Sequence, residues 1–117
     1  MRRGERGAVT AELALGMPLL AALTVGMVWV LAVAADQIRV VDAARETARA
    51  VARGDDTAAA VEVGSRVAPE GAEIEVEVGE ERVTVTVRGS VAGPGGLFRG
   101  TGPARVRATA VAVLEGS

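Results

Sequence analysis

The sequence predicts an α+β chain: a long N-terminal transmembrane helix extending into an amphipathic helix, a short second helix, then a small antiparallel sheet of about three strands. Three observations predict it. Residues 13–35 carry no charge, residues 36–54 repeat their apolar side chains at three- and four-residue steps, and residues 72–78 and 82–88 alternate between apolar and polar. With 117 residues, half of them hydrophobic but only one Trp and one Phe, the chain has room for one small domain with a thin core. It has neither cysteine nor histidine. That removes disulfides, thiol nucleophiles, the commonest metal ligand and the commonest general base. No Gly-rich loop joins a strand to a helix. Catalysis would have to rest on carboxylates or an unaided hydroxyl, so no enzyme, no cofactor and no bound metal are expected. The 13 basic residues and 15 acidic ones give a net charge of −2 with no dominant basic patch, and no nucleic acid is expected as a partner.

The uncharged run "LALGMPLLAALTVGMVWVLAVAA" rises roughly 35 Å as a helix, enough to cross a hydrocarbon core of roughly 30 Å. A chain this short cannot cover every face of such a helix in a soluble core. Arg2, Arg3 and Arg6 precede it and Asp36 follows, which predicts a cytoplasmic N-terminus, a single pass through the lipid bilayer and an extracytoplasmic remainder. Pro18 removes one helical hydrogen bond and is a candidate kink. Gly16 and Gly26, with Pro18, are the candidate places where another helix approaches closely. A secretory signal peptide is an alternative, since Ala32-Val33-Ala34 offers a cleavage triplet. Its apolar core is longer than usual, however, and Glu12 stands at its front edge.

Glu12 gains meaning when counted from Gly7. In "GAVTAE" it is the fifth residue after the glycine, behind a seven-residue leader rich in Arg and directly before the apolar helix. This pattern resembles the processing site of type IV prepilins. The resemblance implies cleavage between Gly7 and Ala8 by a prepilin peptidase, with Glu12 used in assembly and processing. Glycine suits such a site because its backbone extends into a protease cleft without a side-chain clash. A carboxylate inside a membrane helix costs up to ~2.5–3.5 kcal/mol at the centre and less at the interface, and it implies a partner. The new amine on Ala8 of a neighbouring subunit is the candidate.

Beyond the apolar run, "DQIRVVDAARETARAVARG" places Ile38, Val41, Ala44, Ala48 and Val51 on one face. Arg45, Arg49 and Arg53 form a row at four-residue spacing on another, a possible interaction face or a solvated one. Gly54 marks the stop. "VDAARETARAVARG" resembles the Ala-Arg repeat that follows the membrane helix in TadE-like proteins, the minor pilins or pseudopilins of tight-adherence (Flp-type IVb) pili, and the actinobacterial branch is the nearest that can be named. Three segments follow: a basic leader at 1–7, the transmembrane and amphipathic helix at 8–54, and an extracytoplasmic α+β domain at 55–117.

In that domain, "DDTAAAVEVGSRVAPEG" predicts the short helix, with Asp55 or Asp56 as N-cap, a weak point at Gly64 and a stop near Pro69. Ala72, Ile74, Val76 and Val78, then Val83, Val85 and Val87, form the buried side of a hairpin turning near Gly79-Glu80-Glu81. Glu73, Glu75 and Glu77 share the other side and need opposite charge nearby, which Arg105 and Arg107 of a third strand at 104–114 would supply. Leu97 and Phe98 are expected to pin the Gly-rich loop between strands to the sheet.

The resemblance implies a minor pilin or pseudopilin that contributes through its N-terminal helix to assembly of a Flp-type pilus. It implies as partners the prepilin peptidase, the major Flp-type pilin with other pseudopilins, and the inner-membrane assembly platform. Leu13 stands where major Flp pilins usually carry an aromatic, which argues against the major subunit. Two alternatives remain: a small secreted binding domain released after Ala34, and an unprocessed single-span membrane anchor.

Overall fold

A computed structural model describes residues 3–93 and 102–115. Leu97 and Phe98 lie outside the described residues. The element order is α1 (Arg3–Ala52), α2 (Thr57–Val67), β1 (Glu73–Val78), β2 (Arg82–Val91) and β3 (Ala104–Val113). This is the α+β arrangement that the change of period predicts. α1 is one helix of 50 residues and runs unbroken through Pro18. It sets the length of a molecule measuring 83 × 25 × 19 Å.

The stop at Gly54 is a Schellman motif. Gly54 adopts a φ of 103°, its N–H donates to the Val51 carbonyl at 3.1 Å, and the Asp55 N–H reaches the Ala50 carbonyl at 3.0 Å. A Cβ at that φ meets the carbonyl that follows it. Gly54→Ala should therefore cost about 1 kcal/mol, visible as a drop of about 4–8 °C in the thermal unfolding of the full chain in detergent. The Ala52 carbonyl, another helix-end orphan, accepts from the Glu115 N–H at 2.8 Å, which ties the end of the sheet to the end of α1.

α2 begins after Asp56, whose carbonyl accepts the Ala60 N–H at 2.9 Å. Its side chain makes no capping bond. Asp55 is drawn instead to Arg53, at 2.9 Å. Gly64, the residue that weakens α2 by propensity, is where α2 meets α1. A Cβ there would collide with Thr47 Oγ1 and stand 3.2 Å from Ile74 Cδ1 and 3.3 Å from the Ala43 carbonyl oxygen.

The sheet is an antiparallel meander in the order β1-β2-β3. α1 lies along its inner face. Val83, Val85 and Val87 of the central strand are fully buried. Their register partners on β3 are Ala112, Ala110 and Ala108. Valine beneath the helix and alanine beside it let the helix axis settle close to β3. Strand and helix run side by side, as two contacts far apart show. Gln37 Nε2 donates to the Arg107 carbonyl at 3.0 Å, and the Glu115–Ala52 bond closes the far end.

Two expectations need correction. The buried stripe of α1 is Val40, Ala43, Ala44, Thr47, Ala48, Ala50, Val51 and Ala52, while Ile38 is 63% exposed. α2 and the sheet pack on adjacent sides of α1, so the buried arc widens and favours small residues that allow both to approach. The charge partner of the glutamates is also different. β3 pairs with β2 and not with β1, and Arg88 of β2 reaches Glu75 at 3.1 Å. Arg107 stands opposite Arg88 and Arg105 opposite Ser90, so neither meets the glutamates. The exposed Arg88–Glu75 pair is worth little on its own. Arg88→Ala should shift stability by about 0.2–1 kcal/mol, measured by the same thermal unfolding.

Candidate assembly and membrane surface

The N-terminal part of α1 carries its apolar side chains outward. Leu13, Leu15, Met17, Leu19, Leu20, Leu23, Met27, Val28, Val30 and Leu31 are each 58–78% exposed. Patches larger than a few hundred Å² are rarely left open to water and mark membrane or partner surfaces. The most apolar window of α1 has none of its residues buried within the protein. That separates it from the core helix of a soluble domain. One long apolar helix fits a single-pass membrane anchor.

At the start of this surface, Gly7, Ala8 and Glu12 all lie within α1 and are exposed. Glu12 has no hydrogen-bond or ion-pair partner among the described residues. Ala8 lies one turn, about 6 Å along the axis, before it. A Cβ at Gly7, Gly16 or Gly26 would meet nothing within 4 Å. The fold of the single chain therefore needs none of these glycines, and any requirement for them comes from outside it. At about 100° per residue, Gly26 lies about 80° from both Gly16 and Pro18, and the three do not form one narrow seam. A shallow apolar recess opens at Gly26, lined by Ala22, Leu23, Met27, Trp29 and Val30.

The arginine row dissolves into separate contacts. Arg49 pairs with Glu46 at 3.1 Å and Arg53 with Asp55 at 2.9 Å. The Asp55 hydrogen bond and its charge raise the Arg53 pKa still further. Arg45 lines a groove between α1 and β3 with Ala48, Ala110 and Val111. The row is thus mostly a solvated face, with Arg45 as its one cation lacking an ion-pair partner among the described residues.

Sequence reasoning missed one residue of this surface. The Trp29 indole N–H donates to the Ala92 carbonyl at 3.2 Å, and Val33, one turn on, packs against the core. The folded domain thus reaches down the helix to Trp29, inside the uncharged run. A lone Trp near one end of an apolar segment was the available signal, since Trp concentrates at membrane interfaces.

The family model for TadE-like proteins matches residues 7–49. Over most of its N-terminal helix the chain is similar to TadE-like proteins. The match starts at Gly7 and ends within α1, so it takes in Glu12, the apolar run and the first part of the Ala-Arg repeat but neither α2 nor the sheet. The TadE-like likeness suggests involvement in tight-adherence (Flp-type) pilus systems. No curated protein and no solved structure matches the chain.

Proposed function

We propose that the chain is a minor pilin or pseudopilin of a Flp-type pilus, inserted with its leader in the cytoplasm, trimmed after Gly7, and assembled through α1. One observation carries this reading: the TadE-like match begins at Gly7 and contains a carboxylate, Glu12, with no hydrogen-bond or ion-pair partner among the described residues. Such a group in an apolar helix calls for a cation from outside, and a trimmed neighbour would carry one on Ala8. The exposed apolar surface then serves twice, against lipid before assembly and against other pilins afterwards. In this reading the prepilin peptidase, the major pilin and the inner-membrane assembly platform are the partners, and the protein has a structural role rather than an enzymatic one.

Release after Ala34 fits the structure less well. It would cut away Trp29 and Val33, which hold the domain to the helix. The test is the N-terminal residue of the mature protein in cells that assemble the pilus. Ala8 is expected. Ala35 would establish the secreted domain instead, and an intact or Met-trimmed start the plain anchor.

A further inference from the structure

We propose that the membrane-facing end of the sheet, with Trp29 at its foot and Arg105 and Arg107 above it, rests on anionic phospholipid headgroups of the bilayer that α1 crosses. The inference builds on the reading of α1 as a membrane span and adds a contact that the reading does not require.

The argument begins with where the hydrocarbon must end. The Ala92 carbonyl is held by Trp29, and irregular, lipid-exposed backbone is not tolerated in hydrocarbon. The membrane core therefore stops at about Trp29, although the uncharged run continues to Ala35. Counting back to Ala8 leaves residues 8–28, about 31 Å of helix, which matches a core of roughly 30 Å. Trp29 then occupies the interfacial level at which its amphipathic ring is most stable.

The sheet carries its charge to this level. Val91 pairs with Ala104, Ser90 with Arg105 and Arg88 with Arg107. At about 3.3 Å per residue, Arg105 stands about 7 Å and Arg107 about 13 Å above Ala92. Both side chains are exposed on the outer face of β3. An arginine reaches several ångströms along a surface with its guanidinium in the polar layer, and a headgroup layer adds some 5–8 Å to each side of the core. Neighbouring charges are mostly cancelled: Asp36 lies 3.8 Å from Arg39 and Glu75 3.1 Å from Arg88. Glu73 shares the level of Arg107 but sits on the opposite edge strand, about 10 Å away. Arg105 and Arg107 have no ion-pair partner among the described residues. Their planar, bidentate donors suit a phosphodiester. A modest tilt of α1 towards β3, within the ordinary range for membrane helices, lowers both onto the surface.

The full chain reconstituted in vesicles tests this, because it has one Trp and no cysteine. Depth-dependent quenching of Trp29 by brominated lipids reads the membrane level. A fluorophore on Ser90→Cys, beside Arg105, reads headgroup contact through quenchers attached to the headgroup. In vesicles with about one-third phosphatidylglycerol, Trp29 should be quenched at the interface and the Ser90 label should contact the surface. The ratio of docked to undocked label should fall about tenfold or more in pure phosphatidylcholine, and equally in R105Q/R107Q. Equal contact in both lipids and in the variant overturns the headgroup contact while leaving the span intact. Trp29 beyond the reach of every quencher overturns the membrane reading itself, and this inference with it.

Discussion

Gly64→Ala should lower the stability of the folded domain by about 2 kcal/mol, although alanine is the better helix former. Propensity alone would return about 1 kcal/mol in favour of the variant. The added methyl, however, lands on Thr47 Oγ1 and within 3.3 Å of the Ala43 carbonyl oxygen. Thr47 is fully buried, so close packing leaves its side chain little space to turn away. The clash is therefore relieved mainly by moving α2 away from α1, an overpacking cost at the upper end of the usual range, about 3 kcal/mol, which leaves about 2 kcal/mol after the propensity gain. Separation of the helices also loosens Ile74 of β1. Thermal unfolding of the full chain in detergent should show a loss of about 8–16 °C. Thr47→Ala should restore most of it, because it vacates the contested space. It also removes a buried hydroxyl that has no hydrogen-bond partner among the described residues, so the single Thr47→Ala change should cost little. A neutral Gly64→Ala variant would show that α1 and α2 do not approach this closely.

Glu12→Ala should reduce recovery of the chain with assembled pili at least tenfold, beyond any loss of cleavage after Gly7, while leaving membrane insertion in place. Deleting the carboxylate makes insertion of the single chain easier, since it removes a charge from an apolar helix. Failed insertion therefore cannot explain a loss. What disappears is the anion that a neighbour's Ala8 amine would meet in a poorly screened site, where breaking a pair costs about 3–5 kcal/mol against about 1.4 kcal/mol for each tenfold in association. Glu12→Gln preserves shape without charge and should fail similarly. Mature N-terminus analysis and quantification of the chain in sheared pili provide the two readouts. Undiminished co-assembly of either variant would rule out the amine contact.

The legible parts of the molecule are those set by near neighbours in the chain. The long apolar run, the stop at Gly54, the short helix and the alternation in three strands each follow from a local period or a single turn residue. Misread positions depended on which element packs against which. Ile38 belongs to the periodic stripe yet faces outward, because the buried arc is phased by two packing partners rather than one. Glu73, Glu75 and Glu77 announced a need for positive charge, but strand order decided that Arg88 supplies it. Of the candidate surface, Glu12 could be located from spacing. The arginine row could not be judged, since Asp55 and Glu46 neutralise two of its members in space.

By itself, then, the sequence determined a helix long and apolar enough to cross a membrane, a glycine and a glutamate at prepilin spacing, and a small sheet beyond, because periodicity and turn chemistry act over a few residues. Only the tertiary structure decided how far down that helix the folded domain reaches and which charges are left without an ion-pair partner among the described residues. Those depend on Trp29 meeting Ala92 and Gln37 meeting Arg107, pairs separated by 63 and 70 residues that no local pattern links.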